Sequence, residues 1–282
     1  MSDDQQPATD RPGRSFGGVA VAYDRGRPSY PRELVARLTG PRPLSVLELG
    51  AGTGKLTEQL VALGHDVHAT DPDRRMLDVL ARRLPDVRTS QAPAEEIPAG
   101  DREHDLVVAG QAFHWFDHAR ALPEIARVTR PGGRLALLWN SRDERIPWVK
   151  RLGRVMGEVG DHDDWAEVLA ASGLFGEPEL DTERFWQVID RDSVRDLALS
   201  RSAIAALPEA EREARLTEVV AFYDDYGRGM DGMQLPWTSH ALTAEVVAPQ
   251  AEPEPLREQE IDLSEPVASD GTDTELLLID FR

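Results

Sequence analysis

The sequence predicts an α/β fold, in which helices pack on both faces of a mostly parallel sheet. Short apolar runs at 44–49, 67–70, 87–89, 106–109 and 135–139 alternate with segments of helical period. Continuous apolar runs are typical of parallel strands that are buried on both faces. Because strand and helix alternate repeatedly, we expect a doubly wound sheet with right-handed crossovers.

The segments between these runs carry apolar residues three or four positions apart. Leu56, Leu60 and Leu63 share one helical face, and similar faces recur before the third and fifth strands. A shorter helix is predicted before the sheet, starting at Pro31. Proline is favoured in a first helical turn, where its missing N–H costs nothing.

Beyond Asn140 the pattern changes to longer and less regular helices. Further strands at 185–189 and 233–246 bring the predicted sheet to seven strands, and a helix is predicted at 208–226. We expect residues 141–232 to contribute a helical lid over the carboxyl edge of the sheet, with elements that bind an acceptor.

Composition narrows the classes of function. The chain has 282 residues, a formal net charge of −19 and no cysteine. So acidic a chain argues against nucleic acid as a partner, since nucleic-acid-binding proteins cluster Lys and Arg on one face. Without cysteine there is no disulfide framework, thiolate metal site or cysteine nucleophile. No apolar run has the length of a membrane span or a signal-peptide core, so we expect a cytoplasmic protein with no membrane partner.

Polar segments flank the predicted domain, which covers residues 16–246. Residues 1–15 are rich in Asp, Gln and Pro and predict a flexible N-terminal arm. Residues 247–282 predict an acidic tail, and the chain from Glu245 onward carries about half of the net charge. The sequence leaves open whether the protein is a monomer or a homodimer.

The most informative segment is the glycine-rich turn after the first strand, at Gly50, Gly52 and Gly54. Glycines let backbone N–H groups approach a ligand closely, because a Cβ would occupy the same space. A phosphate-binding P-loop is excluded, because Leu49 and Leu56 stand where it needs glycine and a hydroxyl residue. The dinucleotide fingerprint is weakened, since a lysine takes the place of its third glycine.

Several motifs together resemble one enzyme family. Glu48-x-Gly50-x-Gly52-x-Gly54 resembles motif I of the class I methyltransferases that use S-adenosylmethionine (SAM). The segment 111–116, Gln-Ala-Phe-His-Trp-Phe, and the turn 130–134, Arg-Pro-Gly-Gly-Arg, are similar to the methyltransferase type 11 family, typified by the C-methyltransferases of ubiquinone and menaquinone biosynthesis.

Within that family, the sequence of 111–116 most resembles the trans-aconitate methyltransferase-like branch. The pattern Tyr23-x-x-x-Arg27-Pro-x-Tyr30 before the sheet resembles the same branch. The resemblance covers roughly residues 16–140 and continues weakly through 200–202. It implies a Rossmann-like class I methyltransferase fold, with SAM as cofactor and S-adenosylhomocysteine (SAH) as product.

The resemblance also implies which residues bind the cofactor. Asp71 ends the second strand and would hold the ribose hydroxyls, a role shared with nicotinamide-binding folds; the alternative is that it only caps the next helix. The full set of cofactor-binding candidates is Tyr23, Arg27, Glu48, Gly50, Ala51, Gly52, Gly54, Asp71, Pro72, Met76, Ala94, Glu95, Gln111, Ala112 and Trp115.

Candidates for the acceptor site lie beyond the glycine turn. His114 follows the fourth strand, so it is a possible base or acceptor-orienting group; the alternative is that it contacts the cofactor or packs under Trp115. Arg27 could pair with a carboxylate of cofactor or acceptor. No metal site is expected. The acceptor candidates are Tyr30, His114, Trp115, Asn140, Ser200 and Arg201.

The function predicted from these motifs is methyl transfer from SAM to a small-molecule acceptor, with a carboxylate or hydroxyl oxygen favoured and carbon possible. Methyl transfer from a sulfonium is an in-line displacement. The main task of the protein is therefore to align the acceptor, the methyl group and the sulfur in a pocket that excludes water. Two alternatives stay open: a non-catalytic subunit that binds SAM on the same fold, and an NAD-dependent oxidoreductase.

Overall fold

The computed structural model describes residues 20–157, 164–226 and 232–247. The predicted N-terminal arm, 1–15, lies outside the described residues, as does the predicted acidic tail apart from Val247.

The described chain forms a seven-stranded sheet in the order β3-β2-β1-β4-β5-β7-β6. Strand β7 runs antiparallel to both of its neighbours, and all other neighbouring strands are parallel. The prediction of a mostly parallel, seven-stranded sheet is therefore confirmed. The strands are β1 Ser45–Leu49, β2 Asp66–Asp71, β3 Arg88–Gln91, β4 His104–Gly110, β5 Thr129–Arg142, β6 Glu179–Ile189 and β7 Met233–Glu245.

Ten helices surround this sheet within the described ranges. A short 3₁₀ turn, Phe113–Trp115, adds to them after β4. The ten helices are α1 Ala20–Gly26, α2 Arg32–Thr39, α3 Lys55–Ala62, α4 Arg74–Arg83, α5 His118–Val128, α6 Pro147–Val155, α7 Trp165–Ser172, α8 Arg191–Leu199, α9 Ser202–Ala205 and α10 Glu209–Tyr226.

The two faces of the sheet bury separate hydrophobic cores, because side chains alternate along each strand. On β5, Leu135 and Leu137 pack with α5 and α7 on one face. Ala136 and Leu138 pack with Tyr30 and with the leucines of α2 and α3 on the other. Burial on both faces explains why the strands have continuous apolar sequences.

The predicted lid region, 141–232, divides between two places. Helices α6, α8, α9 and α10 form a third core with Leu235 and Trp237 of β7. Helix α7 instead packs in the main core through Trp165 and Leu169, and β6 extends the sheet. The strand predicted at 185–189 is confirmed as part of β6, whereas α7 departs from the lid prediction because its apolar residues pack against the sheet.

The strand order creates a crevice at the carboxyl ends of β1 and β4. The chain moves outward from β1 to β2 and β3, then crosses back to place β4 on the other side of β1. Open α/β sheets bind ligands at such a reversal of strand order. The glycine turn begins directly after β1, so the fold places it at this crevice.

Candidate functional site

The glycine turn after β1 has a backbone shape that favours glycine. Gly50 and Gly52 have φ angles of +66° and +57°, which lie in the left-handed region. A Cβ on Gly50 would lie 2.5 Å from the Cβ of Ala112, so glycine lets the loop after β4 approach. A Cβ on Gly52 would meet no described atom within 4 Å, because this part of the turn faces open space.

Asp71, at the end of β2, is bonded to the same turn. Its carboxylate accepts hydrogen bonds from the N–H of Gly52 at 2.9 Å and the N–H of Asp73 at 2.8 Å. Burial raises the pKa of Asp71 to about 6, although both hydrogen bonds act in the opposite direction. The side chain that caps α4 belongs to Asp73, which accepts from the N–H of Arg75. Asp71 therefore does not serve as the helix cap that was its alternative role.

Glu48 is a second buried carboxyl group at the turn. It is 1% exposed and accepts a hydrogen bond of 2.6 Å from the Thr57 hydroxyl. The pKa of Glu48 is raised to about 8, chiefly by burial and in smaller part by the nearby Asp71, while the hydrogen bond from Thr57 acts in the opposite direction. A ligand with positive charge at this place would favour the ionised carboxylate.

A cavity opens between the glycine turn, the end of β4 and the segment before α2. Its lining combines backbone of the turn with aromatic and polar side chains from four separate parts of the chain. The lining residues are Tyr23, Arg27, Pro28, Tyr30, Glu48, Gly50, Ala51, Gly52, Thr53, Lys55, Leu56, Gly110, Gln111 and Asn140.

The far wall of the cavity is built by Gln111 and Asn140. Gln111 has a φ of +57°, uncommon for a residue with a side chain, and such strain concentrates at functional sites. Its N–H donates to the carbonyl of Leu138 and its side-chain amide to the carbonyl of Asn140. The Asn140 amide donates to the carbonyl of Ser29, while its buried Oδ1 has no hydrogen-bond partner among the described residues.

Helix α1 and the residues after it bridge the two sides of the cavity. Asp24 binds Arg83 of α4 at 2.6 Å and lies 3.7 Å from Lys55 of α3. On the other side, Arg27 donates to the Ser200 hydroxyl at 3.0 Å, at the end of α8. A Cβ on Gly26 would lie 2.3 Å from the backbone nitrogen of Leu197, so the contact with α8 requires glycine.

The structure brings most of the predicted site residues to this cavity. Asp71 and Ala112 lie directly behind the turn, Ser200 accepts a hydrogen bond from Arg27, and Arg201 follows Ser200 in the chain. Those that line the cavity itself are Tyr23, Arg27, Tyr30, Glu48, Gly50, Ala51, Gly52, Gln111 and Asn140.

Other predicted residues lie outside the lining. Met76 and Trp115 pack with Ala20 and Tyr23 at the side of α1. Ala94 is part of the main core, and the Glu95 carboxylate accepts from the N–H of Asp117. The carbonyl of Pro72 accepts from Gln91, and Gly54 lies against Leu80 of α4.

His114 also lies outside the lining. It is exposed on the 3₁₀ turn, and its ring centroid lies 4.6 Å from that of Trp115. Its packing on Trp115 agrees with the alternative interpretation of this residue, and its role in proton transfer stays a prediction.

Sequence reasoning missed Lys55 and Arg142. In the sequence Lys55 stands out only because it does not fit the dinucleotide fingerprint, whereas in the structure it lines the cavity. Arg142 ends β5 two positions after Asn140, and its side chain is 2% exposed. The period of two along a strand, extended past Asn140, was the signal that pointed to it.

Within the described residues, no group of three or more His, Cys, Asp or Glu is arranged to hold a metal ion. In the same ranges no helix combines the length and apolar character needed to cross a bilayer.

A doubly wound sheet with a glycine-rich turn after its first strand and an acidic residue at the end of its second defines a Rossmann-like α/β protein. Residues 47–137 match the family model described as a methyltransferase domain. A methyltransferase-like protein of uncharacterised function from Schizosaccharomyces pombe is 35% identical over 221 residues, covering 73% of this chain and 86% of the relative. The chain therefore belongs to the methyltransferase family.

Other relatives match shorter stretches. An uncharacterised methyltransferase of Mycobacterium tuberculosis is 55% identical over 147 residues, so the match covers 52% of this chain and 60% of the relative's length. A trans-aconitate 2-methyltransferase of Methylobacterium nodulans is 35% identical over 143 residues, or 50% of this chain and 54% of that protein. The resemblance to that branch is confirmed.

The fold is also found in solved structures. A protein of Anaeromyxobacter dehalogenans, provisionally described as a type II methyltransferase, superposes with a TM-score of 0.54 at 25% identity. The match covers 78% of this chain and 97% of that one. The Rossmann-like methyltransferase fold expected from the sequence is therefore confirmed.

Proposed function

We propose that this chain transfers the methyl group of SAM to a small-molecule acceptor and leaves SAH. The observation that carries the proposal is the turn at Gly52. Its backbone faces open space, and its N–H is bonded to the Asp71 carboxylate. With buried Glu48 at the same turn, the site offers two carboxyl groups to a nucleoside that carries a sulfonium and an ammonium group.

The residues at the turn fit the parts of this cofactor. Asp71 would accept from the ribose hydroxyls while keeping its bonds to the backbone, because each carboxylate oxygen has two lone pairs. Glu48 would face the ammonium group of the methionine part. Arg27 and Lys55, which line the same cavity, would bind the methionine carboxylate.

SAM supplies an activated methyl group, so the protein has to align the acceptor and exclude water. Helix α1 closes one side of the cavity and is held near its C-terminal end by Asp24 and by Arg27, the residue that follows it. Tyr30 is buried, and burial raises its pKa well above the ordinary value. It therefore stays protonated and would donate a hydrogen bond to an acceptor oxygen.

A carboxylate oxygen is the favoured acceptor atom, with a hydroxyl oxygen next. Among the described residues that line the cavity, none is a histidine. A carboxylate needs no base at neutral pH, whereas a hydroxyl group has to lose its proton during the reaction.

The experiment that tests this function uses the full chain and isotopically labelled SAM. Calorimetry with SAM, SAH and NAD is expected to give binding of the first two. Incubation with a pool of small metabolites is then expected to give a labelled product by mass spectrometry. SAM binding without transfer to any acceptor would favour a non-catalytic subunit, and preference for NAD would contradict the proposal.

A further inference from the structure

The two edges of the described sheet differ in how well they are protected against pairing with another strand. At one edge, β3 is only four residues long, Arg88–Gln91, and all four are polar. At the other edge, β6 has eleven residues, Glu179–Ile189, which pair with β7 without a bulge. It contains no proline and no lysine. Proteins protect edge strands by short length, proline, lysine or bulges, so β6 lacks the usual protection.

The second half of β6 exposes apolar side chains on one face. Side chains alternate along a strand, and Phe185 and Ile189 pack in the third core with α6, α8 and α10. Trp186 and Val188 point to the other face, where each is 62% exposed. Neighbouring exposed apolar side chains on an unprotected edge mark an interaction surface.

The backbone of the same residues points outward. Trp186 is paired with Pro236 of β7, but Pro236 has no N–H, and its carbonyl accepts from the N–H of Asp143 on the β5 side. In an antiparallel ladder such a pair exchanges no hydrogen bonds, and the pattern repeats every second residue. The N–H and C=O groups of Arg184, Trp186 and Val188 therefore face the outer edge of the sheet.

The charge at this edge permits the approach of a second copy of the chain. Asp181 and Glu183 lie on the face opposite Trp186, and both are paired with Arg37 of α2, at 2.8 and 2.9 Å. The stretch 184–189 carries one charge, that of Arg184. Repulsion between net charges of −19 is screened beyond about 8 Å at physiological salt, so the local charges decide the contact.

We propose that this edge is a dimer interface, in which β6 pairs antiparallel with β6 of a second copy around a two-fold axis. The pairing would join the two sheets into one. Each copy would use the same edge, and the protected β3 edge would stay outside, so the assembly would close at two copies. The proposal does not depend on the proposed function.

The charges also select the register of the two strands. Registers centred on Glu183 or on Arg184 would place like charges directly opposite each other, which is destabilising. The register centred on Phe185 avoids both, and of the remaining registers it pairs the longest stretch, 181–189. It places Arg184 opposite Trp186 of the second copy, where the guanidinium can lie over the indole ring.

Sedimentation velocity of the full chain over a range of concentrations tests the interface. The wild type is expected to show a monomer–dimer equilibrium. In Trp186→Lys and in Val188→Lys the dimer Kd is expected to rise at least ~10-fold, because each loses apolar contact and places a charge at the edge. Val61→Lys is the matched control. Val61 is exposed on α3 and the change in charge is the same, so the Kd of this variant is expected to equal that of the wild type.

Disulfide cross-linking tests the register, and the chain offers a clean background because it has no cysteine. In the register centred on Phe185, Thr182 lies opposite Val188 of the second copy, within the Cα distance that a disulfide spans. A mixture of Thr182→Cys and Val188→Cys chains is expected to give cross-linked dimers under mild oxidation. Either variant alone is expected to give few, since its two cysteines would be about 20 Å apart.

A wild type that stays monomeric up to about 100 µM would overturn the proposal and leave the edge to a different partner. A dimer whose Kd is unchanged in both lysine variants would also overturn it, because the dimer would then use another surface. Equal cross-linking in the mixture and in either variant alone would overturn it as well, because the strands would not be paired in this register. If Trp186→Lys does not fold by circular dichroism, Val188→Lys and the mixture still decide between these outcomes.

Discussion

The two sides of the cavity differ in what holds them together. The side at 48–54 and Asp71, which we propose to bind the cofactor and call the cofactor side, is built from backbone: left-handed glycines and an aspartate that accepts from two N–H groups. The opposite side, where we propose that the acceptor binds, is built from side chains, such as Asn140, whose amide donates to the carbonyl of Ser29 across 111 positions of sequence.

The difference indicates how one scaffold can serve many acceptors. A backbone cradle tolerates few substitutions, because a Cβ in the wrong place closes it. Side chains on the acceptor side can be exchanged without moving the sheet. The cofactor side is therefore the part with a recognisable sequence pattern.

The largest effect is expected from Gly52→Val, which breaks the cofactor side. The new side chain would enter the open space in front of the turn, and SAM affinity is expected to fall at least ~100-fold, a loss of about 2.7 kcal/mol. Calorimetry measures the affinity, and circular dichroism checks that the sheet remains folded.

Gly64→Val is the matched control for backbone strain. Gly64 also has a positive φ, +88°, and also faces open space, but it lies at the other end of α3. This variant is expected to lose stability and keep SAM affinity. Wild-type affinity in Gly52→Val would refute the assignment of the turn.

The pH dependence of SAM binding sharpens the comparison. The pKa of Glu48 is about 8 in the folded protein, and a bound cation would lower it. Binding then releases a proton below pH 8, so SAM affinity is expected to rise by up to ~10-fold per pH unit between pH 6 and 8. Calorimetry in buffers of different ionisation enthalpy measures the released proton.

Glu48→Gln is expected to remove the rise of SAM affinity with pH that Glu48 causes, and an unchanged pH profile would contradict this role of Glu48. The stability of the fold is expected to change with pH in the opposite direction. The pKa of Glu48 is raised above 4.5, so the folded state binds the extra proton and the group's contribution to the free energy of unfolding falls as pH rises from 4.5 to 8.

Gly26→Ala tests the helix that joins the two sides. The Cβ of the new alanine would overlap the backbone of α8 at Leu197, and this overpacking is expected to lower the free energy of unfolding by about 1–3 kcal/mol. Denaturant unfolding measures the loss, with Val21→Ala as control, since Val21 is exposed on the same helix. Unchanged stability would mean that α1 does not depend on its contact with α8.

The smallest effect is expected from His114→Ala. His114 is exposed and does not line the cavity, so turnover is expected to stay within about twofold of the wild type. A large drop in turnover with unchanged SAM affinity would restore His114 as a catalytic base.

Much of the fold was predictable because its signals are local. The apolar runs placed β1, β2 and β4 to within two residues, and the glycine spacing located the turn at Gly50 and Gly52. The bounds of β5 and β6 were less predictable. Strand β5 extends to Arg142, where it pairs with β7, and β6 begins at Glu179 on the edge of the sheet, where its residues are polar. Strand ends are set by pairing partners, which the local sequence does not name.

The sequence by itself determined the alternation of strands and helices, the glycine turn and the acidic residue at the end of β2, because each depends on neighbouring residues. Only the tertiary structure decided that Arg27 meets Ser200 at the end of α8, that α7 joins the main core and that His114 lies outside the cavity lining. Contacts between distant segments depend on how whole elements pack, and no short pattern encodes them.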